Sequence, residues 1–100
     1  MTLESTIEAY LVKRVEALGG ICLKGAIPGR RFLDRICILP GSITVFVECK
    51  RPKYGRREKQ QIHYVTKLQD MGHEAIFVEN KHDVDGVIEW YLMTVRESAK

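Results

Sequence analysis

The sequence predicts a single α/β domain with the element order α-β-β-β-α-β-α. Two observations predict this class: apolar residues recur at helical spacing in three segments, and runs of β-branched and aromatic residues lie between them. The chain has 100 residues, which is long enough for one hydrophobic core and too short for two. Its composition, 45% apolar and 29% charged, is that of a globular protein. We therefore treat residues 1–100 as one domain.

The chain opens with a predicted helix and a short strand. Apolar residues from Leu3 to Leu18 recur at spacings of three and four, which places them on one face of a helix. Gly19–Gly20 predicts the end of this helix, because glycine tolerates the left-handed conformation of a helix terminus. Residues 21–23 then predict a strand, and residues 26–29 predict a loop.

Two further β-rich runs predict a hairpin. They cover residues 32–39 and 43–50. Pro40-Gly41-Ser42 lies between them and has the composition of a tight turn, since proline and glycine adopt turn conformations at little cost. The two strands are therefore expected to pair in antiparallel fashion.

The second half of the chain predicts a helix, a strand and a final helix. The loop 51–57 contains proline and glycine, and residues 58–71 then carry a helical stripe that Gly72 ends. Residues 74–79 predict another strand. Apolar residues between positions 84 and 95 have the spacing of an amphipathic helix. The whole order describes one α/β sandwich without internal repeats.

Positive charge is clustered in two places, although the formal net charge is only +3. Such clusters suit a polyanion such as a nucleic acid, whereas one charged loop is more often only a solvated surface. The candidate polyanion-binding residues lie between positions 30 and 35 and between positions 51 and 59. They are Arg30, Arg31, Arg35, Arg51, Lys53, Arg56, Arg57 and Lys59.

The cysteines and the apolar runs indicate an intracellular protein. Cys22, Cys37 and Cys49 are odd in number and lack the Cys-x-x-Cys spacing of a zinc site, so we predict buried, reduced thiols. The longest apolar run, residues 43–47, is too short to span a bilayer, and the N-terminus lacks the features of a signal peptide. We therefore expect a cytoplasmic protein without a membrane partner.

The predicted hairpin brings charged residues together at its open end. If the turn centres on Gly41, the numbers of facing residues sum to about 82, and Asp34 lies opposite Glu48. Because side chains alternate along a strand, Glu48 and Lys50 share one face while Cys49 points to the other. Two carboxylates and one ammonium group therefore converge.

This grouping favours hydrolysis of phosphodiesters. Asp34, Glu48 and the backbone carbonyl of Cys49 can hold a divalent metal, which neutralises a phosphate and activates water. Lys50 then supplies positive charge beside the attacked phosphate or orients the water. The alternative is an exposed ion pair at a strand end, worth no more than about 1 kcal/mol. The position of Asp34 in an apolar run favours the metal site, because burial of an unpartnered charge is costly.

Several short motifs follow one another in a fixed order along nearly the whole chain, from about Leu3 to Ile88. They are Glu4-Ser5-Thr6-Ile7-Glu8-Ala9-Tyr10-Leu11, Gly19-Gly20, Pro28-Gly29-Arg30-Arg31, Asp34-Arg35, Leu39-Pro40-Gly41, Val45-Phe46-Val47-Glu48-Cys49-Lys50 and Gln61. This string resembles the VRR-NUC family of the PD-(D/E)XK nuclease superfamily. The resemblance implies a restriction-endonuclease-like α/β fold with a central mixed sheet, and Mg²⁺- or Mn²⁺-dependent cleavage of DNA.

The resemblance also implies the residues of the active site. Asp34, Glu48 and Lys50 match the signature residues of the family. One departure is that Phe32-Leu33 precedes Asp34 where the family usually has a proline. Proline there belongs to the scaffold rather than to the chemistry, so we expect a shifted loop and retained activity.

Two further site residues follow from the same resemblance. Gln61 matches the glutamine on the helix after the signature strand, and the adjacent Gln60 is the alternative. The glutamate that the family carries on its first helix corresponds best to Glu8, which would reach the metal directly or through a water. Glu4, one turn away, is the alternative for this acid.

The sequence as a whole therefore predicts a structure-selective endodeoxyribonuclease. Stand-alone members of the family are similar to phage or bacterial enzymes that act as homodimers on branched DNA, including four-way junctions. Apolar residues beyond the needs of one small core also favour a homodimer: Ile27, Phe32, Trp90, Tyr91 and Met93. The main alternative is a non-catalytic nucleic-acid-binding module that uses the loop 51–59, and a third is a structural domain.

Overall fold

A computed structural model describes residues 4–26, residue 28, residues 32–50 and residues 59–98, with only the backbone of Lys59. The predicted elements are present in the predicted order. They are α1 (Glu4–Ala17), β1 (Ile21–Lys24), β2 (Arg35–Leu39), β3 (Ile43–Cys49), α2 (Lys59–Asp70), β4 (Glu74–Val78) and α3 (Lys81–Ser98). Among the described residues, none of the helices has the length and hydropathy that a membrane span requires.

The four strands form one mixed sheet in the order β1-β2-β3-β4. β1 and β2 pair antiparallel, as do β2 and β3, whereas β3 and β4 pair parallel. The predicted hairpin register is confirmed: Arg35 faces Val47 and Leu39 faces Ile43, so that facing numbers sum to 82. The mixed sheet expected from the family resemblance is also confirmed.

The hairpin turn depends on two residues in the left-handed backbone region. Gly41 has φ 93° and Ser42 has φ 63°. Glycine adopts this conformation without steric cost, whereas a residue with a Cβ does so less readily. Tyr91 of α3 also holds this turn, because its hydroxyl donates a hydrogen bond of 2.8 Å to the carbonyl oxygen of Pro40.

β2 begins later than the predicted strand 32–39, because Phe32 and Leu33 turn away from the sheet. Leu33 is buried beneath α2 in a small apolar cluster with Val65 and Ala75. Its backbone passes closely over Gly25, where an added Cβ would lie 2.0 Å from the Leu33 carbonyl oxygen. Packing of Leu33 against α2 therefore overrides the β propensity of this segment.

The sheet lies between two layers of helices, as expected of a sandwich. The main core fills the space between the sheet and the pair α1 and α3. Its members include Ile7, Leu11, Val15, Val45, Val47, Cys49, Val84, Ile88 and Tyr91. The smaller cluster around Leu33 fills the opposite face beneath α2.

The apolar residues predicted as surplus to the core differ in their burial. Tyr91 is buried in the main core, so its prediction as a surplus residue is wrong. Phe32 and Trp90 are half-buried, each packed against one of the two clusters. Met93 is exposed on α3, and Ile27 lies outside the described residues.

Candidate active site

Asp34 and Glu48 lie opposite each other at the open end of the β2–β3 hairpin. The backbone N–H of Asp34 donates to Glu48 Oε1 at 3.0 Å, and the backbone N–H of Cys49 donates to Asp34 Oδ2 at 2.9 Å. Each carboxylate therefore accepts a hydrogen bond from the other strand. These two bonds continue the hairpin ladder beyond Arg35 and hold both side chains in place.

Lys50 belongs to the same cluster and is buried with it. Its Nζ lies 3.2 Å from Glu48 Oε2, and the two side chains are only 8% and 1% exposed. The Lys50 backbone is held too, because its N–H donates to the carbonyl oxygen of Val78 at 2.8 Å. The alternative of an exposed ion pair at a strand end is therefore wrong.

Glu48 lies where a negative charge is costly without a cation. Burial, followed by the negative charge of Asp34, raises the pKa of Glu48 to about 7, although Lys50 opposes the shift. Crowded carboxylates of this kind gain from any further positive charge placed between them. The cluster thus has the electrostatic character of a cation site.

Gln61 points inward from the first turns of α2. It is only 5% exposed, whereas the neighbouring Gln60 is exposed. Its Oε1 is buried without a hydrogen-bond partner among the described residues. Since buried polar atoms are normally satisfied, this oxygen lacks a donor that a water or a ligand could supply.

Glu8 lies on α1 and is held by two cations through one oxygen. Arg35 Nε and Nη2 lie 2.8 Å and 2.7 Å from Glu8 Oε2, and Lys24 Nζ lies 3.2 Å from it. Glu4, the alternative acid of this helix, is exposed. Contacts with β1 and β2 therefore hold Glu8 in a defined position.

The predicted polyanion-binding residues are mostly beyond what the structure describes. Arg35 is described and is engaged with Glu8 rather than free at the surface. Of Lys59 only the backbone is described. The others lie outside the described residues: Arg30, Arg31, Arg51, Lys53, Arg56 and Arg57.

The donor set fits a hydrated Mg²⁺ or Mn²⁺ ion. Within the described parts of the chain, no three His, Cys, Asp or Glu side chains are grouped so as to hold a metal. Mg²⁺ does not need such a group, because it is usually bound through one or two carboxylates while keeping several waters. Asp34 and Glu48 could supply the carboxylates, and the Cys49 carbonyl could supply a further oxygen. Gln61 Oε1, which has no partner among the described residues, could accept a hydrogen bond from a water of the ion.

Cys37 and Cys49 do not fit a softer metal. Burial, then the charge of Asp34, raises the pKa of Cys49 well above its ordinary value. The pKa of Cys37 is also raised, by its hydrogen bond with Cys22 and by burial. Thiols bind metals as thiolates, so protonated Cys37 and Cys49 are poor ligands. The prediction of buried, reduced thiols is confirmed for Cys37 and Cys49, whereas Cys22 is a free thiol that is only half-buried, so its predicted burial is wrong.

Two surface cavities lie apart from the carboxylate pair. One runs along β4 and α3 past Ile76 and Trp90, and the other lies beside the hairpin turn near His73. Neither is lined by Asp34 or Glu48. The carboxylate pair therefore lies outside these two cavities.

Sequence reasoning missed the contact between Glu8 and Arg35. Arg35 is the first residue of β2, and alternation along this strand places its side chain on the same face as Cys37 and Leu39. That signal was available in the sequence and indicated that Arg35 faces α1. The choice of Glu8 as its partner depends on how α1 packs on the sheet.

The chain resembles two known proteins over most of its length, although no family model matches it. It is 37% identical over 79 residues to "Putative nuclease p44" of Acyrthosiphon pisum secondary endosymbiont phage 1, which covers 78% of this chain and 84% of that protein. A solved structure described as "VRR_NUC domain" superposes with a TM-score of 0.81 at 30% identity, covering 91% of this chain and 99% of the other. The likeness thus concerns the whole domain.

Proposed function

The chain belongs to the VRR-NUC family, and we propose that it is a metal-dependent endodeoxyribonuclease acting on branched DNA such as four-way junctions. Nuclease activity is supported by the likeness to the phage protein and to the VRR_NUC structure. The observation that carries the proposal is the pair of Asp34, which is half-buried, and Glu48, which is buried beside Lys50; each accepts a hydrogen bond from the other's strand. A protein that only binds nucleic acid gains nothing from two carboxylates facing phosphate.

The site residues have different proposed roles in hydrolysis. Asp34, Glu48 and the Cys49 carbonyl would hold Mg²⁺ or Mn²⁺, and a bound divalent cation neutralises the phosphate and lowers the pKa of water. Lys50 places an ammonium group beside Glu48, where it supplies positive charge to the phosphate oxygens as negative charge develops on them. Gln61 Oε1, which has no hydrogen-bond partner among the described residues, would accept a hydrogen bond from the attacking water.

The basic clusters are proposed to bind the DNA backbone. Clustered lysine and arginine attract phosphates without reading sequence, which suits an enzyme that selects a DNA structure rather than a base sequence. The segment 51–59 directly follows Lys50 in the chain, so DNA bound there passes close to the carboxylate pair. The likeness to a phage protein supports action inside a cell.

A four-way junction is proposed as the substrate because of symmetry. Resolution of such a junction needs two symmetric cuts, whereas one domain with one site makes one cut. A two-fold homodimer supplies two related sites, and such dimers are the commonest oligomers. Met93 and Trp90 are the described members of the predicted surplus on α3 that remain at least partly exposed.

The proposal is tested by a nicking assay with three DNA substrates. A labelled four-way junction, a linear duplex of the same sequence and the single strand are incubated with the protein in Mg²⁺, Mn²⁺ or EDTA. We expect metal-dependent nicks in the junction that Asp34→Ala abolishes and that Glu89→Ala, a change at an exposed carboxylate of α3, leaves intact. Binding without cleavage would favour the non-catalytic module, and equal cleavage of the linear duplex would remove the selectivity for branched DNA.

A further inference from the structure

Arg35 connects three elements of the fold at the edge of the candidate active site. Its Nε and Nη2 bind Glu8 Oε2 of α1, and its Nη1 donates to the carbonyl oxygen of Cys22 in β1 at 3.0 Å. Arg35 itself is the first residue of β2 and directly follows Asp34. One guanidinium group therefore fixes α1 and β1 relative to the strand that carries Asp34.

The two cations at Glu8 are not equivalent. The side chains of Arg35 and Glu8 are 16% and 17% exposed, whereas that of Lys24 is 74% exposed. An exposed ion pair contributes little, because water and salt screen it. A shielded, multidentate contact from arginine is shorter and more directional. Arg35 thus sets the position of Glu8.

Among the described residues, the cations at Glu8 contact only one of its two carboxylate oxygens. Both described cations bind the same oxygen, Oε2. A carboxylate has four lone-pair sites on two oxygens, so Oε1 can still accept hydrogen bonds. An acid held in this way resembles the outer-shell partners that orient the ligands or waters of a metal ion.

We propose that Arg35 is a positioning residue of the metal centre: it anchors Glu8 by one oxygen and leaves the other to the hydration shell of the cation at Asp34 and Glu48. This inference rests on the proposed function. It assigns Arg35 to the architecture of the site rather than to the DNA surface. Arg35 acts on the metal centre through Glu8, because its guanidinium group is bound to Glu8 and to the carbonyl oxygen of Cys22.

The direction in which metal affinity changes when Arg35 is replaced separates a positioning role from a simple charge effect. A positive charge near a cation site repels the cation, so a guanidinium that acted only by charge would weaken metal binding, and its removal would strengthen it. A positioning residue has the opposite effect, because its removal lets Glu8 move away. Lysine at position 35 keeps the charge but cannot form the same fork of hydrogen bonds.

The test measures Mn²⁺ binding by calorimetry on the full chain without DNA. We expect Arg35→Gln to weaken Mn²⁺ binding by about tenfold, the scale of removing an outer-shell partner, and Arg35→Lys to weaken it in the same direction. Glu8→Gln should weaken binding similarly, and the double variant should be no weaker than Glu8→Gln alone. Lys24→Gln, which removes the exposed cation from the same oxygen, should change binding by less than about twofold.

Three results would overturn the inference. They are tighter Mn²⁺ binding by Arg35→Gln, wild-type binding by Arg35→Lys, and additive losses in the double variant. A reduced salt slope of junction binding for Arg35→Gln in EDTA would instead return Arg35 to the DNA surface. Thermal melting checks that each variant folds. If Arg35→Gln does not fold, the double-mutant cycle is carried out with Arg35→Lys and Glu8→Gln instead.

Failure of the proposed function has a different signature in this experiment. If the wild-type chain does not bind Mn²⁺, or if Asp34→Ala leaves binding unchanged, the metal site itself is wrong. If Mn²⁺ binding is lost in Asp34→Ala but unaffected in every Arg35 variant, the metal site stands and only the role of Arg35 fails.

Discussion

Asp34 and Glu48 each accept a hydrogen bond from the backbone of the opposite strand. Glu48 Oε1 accepts from the Asp34 N–H at 3.0 Å, and Asp34 Oδ2 accepts from the Cys49 N–H at 2.9 Å. Carboxylate oxygens thereby take the place of backbone carbonyls at the last rungs of the hairpin. A slip of the register by one residue would move each side chain to the other face of the sheet. The pairing of β2 with β3 and the geometry of the carboxylates are therefore one structural feature.

Asp34→Ala and Glu48→Ala should each abolish cleavage while DNA binding persists or tightens. Both acids converge on one cation site, and removal of either also removes repulsion toward phosphate. Cleavage is measured on a four-way junction in Mg²⁺, and binding by fluorescence anisotropy in EDTA. Glu89→Ala at an exposed position of α3 serves as the control. Cleavage near the wild-type rate by either site variant would refute the assignment.

The metal-free protein should lose stability as pH rises from about 4.5 to about 7. The pKa of Glu48 is raised in the folded state from 4.5 to about 7, chiefly by burial and next by Asp34. Between these values the unfolded chain has released its proton while the folded chain keeps it, so rising pH favours unfolding. The loss is about 1.4 kcal/mol for each unit that separates the two pKa values. Above pH 7 both states are ionised and this contribution becomes constant.

Melting temperatures of the wild type and of Glu48→Gln at pH 5, 6, 7 and 8 check this prediction. Glutamine does not titrate, so the difference between the two proteins should move in favour of the variant as pH rises. Mn²⁺ should stabilise the wild type more at pH 8 than at pH 5, because the ionised carboxylate binds the metal. A difference between the proteins that does not change with pH would contradict the raised pKa of Glu48.

Lys50→Ala should lower the rate of cleavage by at least about 10²-fold, the scale of removing one charged group that stabilises the transition state. The ammonium group lies 3.2 Å from Glu48 Oε2 and is not a metal ligand. Raised Mg²⁺ should therefore not restore the rate. Single-turnover rates across a Mg²⁺ series provide the measurement, and full recovery at high Mg²⁺ would show that Lys50 only tunes metal affinity.

The elements of the fold were predictable because their signals are local. Helical spacing, β-rich runs and glycines fix where each element begins and ends, and the turn at Gly41 fixes the register that pairs Asp34 with Glu48. Contacts between distant segments were not predictable in this way. Leu33 leaves the predicted strand because it packs beneath α2. Arg35 meets Glu8 because α1 packs on the sheet, which no local pattern specifies.

Neutralising the basic loop should weaken DNA binding and flatten its dependence on salt. The change combines Arg51→Gln, Lys53→Gln, Arg56→Gln and Arg57→Gln. Binding of each phosphate releases counterions, so the slope of log K against log salt should fall by roughly one unit for every phosphate that the variant no longer binds. Anisotropy titrations in EDTA between low and high salt measure the slope.

The control for that experiment neutralises charge elsewhere on the surface. Lys67→Gln and Arg96→Gln change exposed residues of α2 and α3 and should leave the salt slope unchanged. The rate of cleavage at saturating DNA should be little affected by the loop variant, because the loop binds rather than reacts. An unchanged slope in the loop variant would move the DNA surface to Arg30 and Arg31.

This chain should act as a homodimer on four-way junctions. One domain offers a single carboxylate pair, Asp34 and Glu48, whereas a junction requires two symmetric cuts. A two-fold dimer presents the same surface of each subunit to the other and so matches the symmetry of the junction. Light scattering across a dilution series, with and without junction DNA, should show a dimer that dissociates on dilution.

A mixing experiment tests whether each subunit of the dimer cuts one strand of the junction. Wild-type protein mixed with an excess of Asp34→Ala should cut one strand of a junction and leave the second strand intact, because a mixed dimer carries one active site. Met93→Glu places a charge on an exposed apolar residue of α3 and tests whether that helix belongs to the interface. Dimerisation lost in this variant would assign α3 to the interface, and its retention would assign the interface elsewhere. A strict monomer that cuts both strands in one binding event would show that the second site comes from the same chain and would refute the homodimer.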